Sequence, residues 1–289
     1  MYFTFPTYNV PFTLVVKVKT KRPECIVLQA YDIVDGMMKI DGVQKQVPIK
    51  TGYVKRKGIV NGERTFELKF PQVPSKLHID IFNQKNGKFK GTEDPTFTIE
   101  KFEAAPLKTK PVWLSERDRN FIKFVQFFCE NASHLSASQF VNGKEVPSVY
   151  RSDCGEFTFD YWDKIKDRKT GRKLNTPARI GHATGTVEIS KEDFLKYTIP
   201  MRMVILLHEY SHKWKNPEDG NAIGYETGAD INALNIYLSL GYSEIEAHQA
   251  FLYVFKGAAT DGNHKRYLII KDFIKKFNDG DLKEYAKAA

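Results

Sequence analysis

The chain has 289 residues, 42% of them hydrophobic and 27% charged, and a formal net charge of +9. That balance supports a packed core in one large or two ordinary domains, and excludes a disordered tract, a collagen or a disulfide scaffold. Three scattered cysteines, Cys25, Cys129 and Cys154, read as free thiols in a reducing compartment and exclude a cysteine zinc site.

The N-terminus, Met1-Tyr2-Phe3-Thr4-Phe5-Pro6, lacks the basic and apolar regions of a secretory signal. The expected location is cytoplasmic or within a particle such as a virion. Residues 1–105 read as β: Phe12–Lys19, Cys25–Tyr31, Thr65–Phe70, Leu77–Phe82 and Phe97–Glu100 alternate or are rich in strand formers. Asp35-Gly36, Asp41-Gly42, Asn61-Gly62 and Asn86-Gly87 are the expected turns. The expectation is an antiparallel β-sandwich, broadly resembling immunoglobulin-like or C2-like sandwiches. Residues 1–110 hold 19 Lys+Arg against 11 Asp+Glu, whereas the rest is nearly balanced at 25 against 24. This basic region is expected to be a docking or targeting module. Nucleic acid is not the expected partner, because the run Lys55-Arg56-Lys57, read as a hairpin tip, has too few interleaved aromatics.

Residues 106–115, with two prolines and no period, form the expected linker. From Ser115, with Glu116 and Asp118 behind it, a helix is expected through Phe121, Ile122, Val125 and Phe128. Residues 116–289 are expected to form a mainly helical domain, so the fold class is α+β. One strand or glycine-bent hairpin interrupts the helices at Ala178–Ile189. Trp113, Trp162 and Trp214 are expected to pack rather than to form a platform. Pro200 then opens a helix whose apolar stem, Met203–Leu207, is too short to span a membrane.

That helix carries His208-Glu209-Tyr210-Ser211-His212, an H-E-x-x-H motif. Residues four apart share a helix face, so His208 and His212 can bind one metal ion while Glu209 takes a proton from water. A catalytic zinc takes three protein ligands. Glu218 and Glu226 compete for the third place. Glu218 needs a sharp turn at Lys215, where a glycine would serve. Glu226 is preferred, because it shares a helix face with Asp230, which can orient a ligand histidine.

These segments, together with Ala229, Gly241-Tyr242-Ser243 and Glu246-Ala247, resemble the gluzincin zinc peptidases, closest to the CAAX-prenyl endopeptidases and HtpX-like proteases. The resemblance spans roughly residues 177–277. It implies a zincin-like fold, zinc on His208, His212 and Glu226, Glu209 as general base, Asp230 behind the ligands, and a protein or peptide substrate. The family's later histidine falls at Thr260–Arg266, making His264 the expected oxyanion donor, with Tyr225 and His248 in reserve. The resemblance also implies that residues 183–189 form the edge strand that pairs with substrate. His182 is expected to be an exposed strand residue. The family's membrane spans are absent, so the expectation is a soluble metallopeptidase. The rival expectation is a structural or assembly component, for example of a virus particle, that keeps the fold with little turnover.

Overall fold

A computed structural model describes residues 1–40, 43–88, 94–214, 222–256 and 260–280. The chain divides into two compact units. One holds Met1–Lys110 with Thr198–Pro200 and Leu240–Ser243; the other holds Pro111–Tyr197, Met201–Ser239 and Glu244–Ala289.

The first unit is a five-stranded antiparallel sheet of β1 (Tyr2–Pro6), β2 (Phe12–Ile40), β3 (Val43–Phe70), β4 (Lys76–Asn83) and β5 (Phe97–Pro106). It is dominated by two strands of 29 and 28 residues, which pair from Phe12↔Phe70 to Ile40↔Val43. The first part of β2 also pairs with β5, and its middle with β4. Phe3 of β1, a strand joined to β2 only through β4, stacks at 4.5 Å on Phe102 of β5, which pairs with the first part of β2. The sheet thus closes over its own apolar face, where Leu14, Val16, Ile26, Leu28, Leu68 and Ile79 are buried.

The expected sandwich is therefore one continuous antiparallel sheet. Two of its expected turns are absorbed by the long strands. Asp35-Gly36 lies inside β2 and Asn61-Gly62 inside β3. Gly62, with φ +76°, pairs with Thr20 where the register shifts, so its left-handed backbone serves a bulge and not a hairpin. Asn86-Gly87 follows β4 as expected, and Asp41-Gly42 lies outside the described residues. Lys55-Arg56-Lys57 is mid-strand. Arg56 is buried and donates to Ser243 Oγ at 2.9 Å within the same unit.

In the second unit, α1 (Glu116–Asn131) starts at a capping box. Ser115 Oγ accepts from the Asp118 N–H at 3.1 Å, and the Asp118 carboxylate accepts from the Ser115 N–H at 2.9 Å. The apolar face of α1 packs on β9 (Thr158–Trp162). Phe124 stacks on Phe159 at 4.4 Å, and Phe128 meets Phe159 and Tyr161 edge-on. β9 lies in a four-stranded sheet of order β10-β11-β9-β8, with β8 at Ser148–Arg151, β10 at Ala178–Ile180 and β11 at Val187–Ser190. A small hairpin, β6 (Gln139–Val141) and β7 (Lys144–Val146), lies apart from it. This half is consequently more β-rich than expected, because strands of three to five residues are too short to register as a period in the sequence. The remaining helices are α2 (Lys191–Phe194), α3 (Ile199–Trp214), α4 (Ala222–Ser239), α5 (Glu244–Lys256) and α6 (Asp261–Asp279). Trp214 packs on Tyr210 and Phe157 as expected, and Trp162 is half-buried. Trp113 is 85% exposed and does not pack.

Candidate metal centre

The helix period carries out what the spacing implies. His208 and His212 lie one turn apart on α3 with their Nε2 atoms 2.9 Å from each other. α4 brings Glu226 to both: Oε2 lies 3.5 Å from His208 Nε2, and Oε1 lies 3.5 Å from His212 Nε2. Ligands bound tetrahedrally at ~2.0–2.1 Å stand about 3.3 Å apart, so these separations suit one small divalent ion. Among the described residues this is the one cluster of its kind. Glu218 lies outside the described residues.

The electrostatics of the trio fit the same ion. Burial opposes charge on His208, but Asp230, whose Oδ1 lies 2.8 Å from Nδ1, outweighs it and raises the imidazole's pKa to about 10. Burial and then the neighbouring His208 charge lower His212 to about 4. The hydrogen bond from His208, more than any other influence, holds Glu226 at about 2 against its own burial. Without an ion, the two histidines are thus pushed in opposite directions, His208 toward and His212 away from the charged form, and Glu226 toward the carboxylate. Two imidazole nitrogens in contact must share a proton or a cation. Two nitrogens and one oxygen are a donor set that zinc accepts, with a fourth position left for solvent.

Asp230 is fully buried on α4, one turn beyond Glu226. Arg266 of α6 holds it in place, with Nε donating to Oδ2 at 2.9 Å and Nη2 to Oδ1 at 3.0 Å. The same Nη2 lies 3.1 Å from Glu226 Oε2. Glu209, beside His208 on the helix, has Oε2 accepting from the Ile180 N–H of β10 at 2.8 Å. Burial, above all, raises its carboxyl pKa. The site opens into a cavity of about 110 Å³ whose apolar wall includes Pro177, Val204, Ala250 and Phe251, with His208, Glu209, Glu226, Asp230 and Arg266 on its polar side.

Four expectations shift. His264 is exposed near the start of α6 and does not line the cavity; Arg266 does. Two residues along a helix turn the side chain through ~200°, so only one of the two can face α4. His248 sits on α5 beside Tyr267 and is likewise not a lining residue. Residues 183–186 are turn and connection, and β11 is an interior strand. The free edge of the sheet near the site is β10. His182 is in the turn and not in a strand, and is exposed. Sequence reasoning missed the roles of Arg266 and of the Ile180 N–H. The sequence marks neither one, because each depends on which element packs opposite.

Comparison with protein-family models, with curated proteins and with solved structures gives no match for this chain.

Proposed function

We propose that the chain is a metal-dependent peptidase of the gluzincin kind, with a zincin-like second unit. The observation that carries this reading is the convergence of His208, His212 and Glu226 within 3.5 Å of one another, with Glu209 on the same helix and Asp230 behind His208. His208, His212 and Glu226 would hold zinc, which when bound lowers the pKa of its water to ~7 and polarises a carbonyl. Asp230 holds the Nδ1 side of His208 so that Nε2 faces the ion, and Arg266 fixes the Asp230 carboxylate. Glu209 takes a proton from the attacking water and returns it to the leaving amine. Its buried, raised-pKa carboxyl suits a group that must both accept and release a proton near neutral pH. The Ile180 N–H keeps one of its oxygens in place. An extended peptide lies along β10, the sheet edge that borders the cavity.

Metal analysis of the purified chain together with a peptide-library digest tests the reading. The expected result is one metal per chain and cleavage that falls about 10²–10⁴-fold in Glu209→Gln with the metal retained. Stoichiometric metal without cleavage of any peptide would favour a structural component that keeps the centre without turnover.

A further inference from the structure

The two histidines of the cluster are held by different means. His208 has a carboxylate at its back. Among the described residues His212 has none, and its buried Nδ1 makes no hydrogen bond with any of them. Its surroundings are aromatic instead. The Tyr225 ring lies nearly parallel to the imidazole, at 24° and 4.7 Å between centroids. The His182 ring meets it edge-on, at 80° and 5.9 Å. The Tyr225 hydroxyl donates to the carbonyl of His212 itself, and its oxygen lies 3.0 Å from His182 Nδ1.

We propose that Tyr225 and His182 are positioning residues for His212, a ring clamp that fixes this ligand as Asp230 fixes His208. The proposal rests on reading the cluster as a metal centre. The His212 carbonyl, in the last described turn of α3, accepts the phenol's proton. A phenol has one proton. With that proton on the carbonyl, the His182 bond must be made by its Nδ1–H, which sets the tautomer of His182 and ties the β10–β11 turn to the ligand.

That turn is itself anchored to the end of α3. Lys213 Nζ donates to the Ala183 carbonyl at 3.1 Å. Gly185, at φ +75°, lies so close that an added Cβ would meet Lys213 and Trp214 at 2.9–3.0 Å. The clamp therefore draws on three elements: α3 supplies the ligand, α4 the stacking ring, and the turn the edge contact. Because Tyr225 immediately precedes Glu226, the residue beside the third ligand also holds the second.

The test uses full-length protein and Co²⁺ as the probe, followed by competition with Zn²⁺. Tyr225→Leu removes the stack and is expected to weaken Co²⁺ binding about 10–100-fold, with a changed visible absorption spectrum. Tyr225→Phe keeps the ring and should lose less. His182→Ala, at an exposed turn position, is expected to weaken binding in the same direction with circular dichroism unchanged, so the test survives if Tyr225→Leu fails to fold. Wild-type affinity and an unaltered Co²⁺ spectrum in both Tyr225→Leu and His182→Ala would overturn the clamp while leaving the metal centre standing. Absence of Co²⁺ and Zn²⁺ binding in the wild type would overturn both.

Discussion

Asp230 is the acid that the centre can least afford to leave alone. It is fully buried, and its charge is tolerable because Arg266 meets both oxygens and His208 approaches one of them. Removing one partner of a buried ion pair costs about 3–5 kcal/mol, because the other charge stays behind without compensation. Arg266→Met is therefore expected to lower the thermal midpoint markedly, and Arg266→Met with Asp230→Asn to recover part of the loss. Equal stability of Arg266→Met and wild type would show that the pair does not carry this burial. Asp230→Asn alone should weaken metal binding about 10–100-fold, since it removes the charge behind His208. At this scale the sequence was informative wherever the helix period decides the neighbour. His208 with His212, and Glu226 with Asp230, are four apart, and their faces follow from the fold of the helix alone. Arg266 was hidden because its partner is on another helix. His264 was expected because the resemblance puts a histidine in Thr260–Arg266, yet it is exposed and away from the cavity that Arg266 lines.

At the scale of elements, the β10–β11 turn and α2 have distinct supports. Gly185 combines a left-handed backbone with no room for a Cβ, so Gly185→Ala is expected to cost at least about 1–2 kcal/mol from the backbone alone. Chemical denaturation would measure it, and a neutral result would contradict the backbone strain expected there. Ser190 caps α2, and Asp193 of α2 forms a buried pair with Lys164 at 2.6 Å, joined by Lys196 at 2.7 Å. Burial works against the Asp193 charge, but these lysines and Ser190 prevail and hold its carboxyl below the ordinary value of 3.8. A depressed folded pKa stabilises above the unfolded value and is lost as pH falls through the folded one. Acid unfolding below about pH 4 should therefore be steeper in the wild type than in Asp193→Asn. Identical acid limbs would contradict this. The elements themselves were unevenly legible. α1 and α3 follow from a cap, a helix-opening proline and apolar periods. The long β2–β3 pair was hidden because Asp-Gly and Asn-Gly pairs signal turns locally, whereas pairing over some 28 residues absorbs them as strand interior or bulge.

At the scale of the whole molecule, the atoms of the candidate centre all belong to the second unit, while the basic excess lies in residues 1–110. The metal-ligating residues and the excess positive charge thus lie in different parts of the chain. Among the described residues no helix is long and apolar enough to cross a membrane. The α+β class and the β-first order were readable from the change of period near residue 110, where alternation gives way to 3–4 spacing. The course of the sheet was not, because strand order depends on pairings between segments far apart in the sequence. The most direct measurement is metal content by mass spectrometry after equilibration with excess zinc and gel filtration, for the wild type and for His208→Gln, His212→Gln and Glu226→Gln. The account requires one zinc per wild-type chain and a large loss in each variant. A metal-free wild type, or zinc retained equally by all three variants, would contradict it.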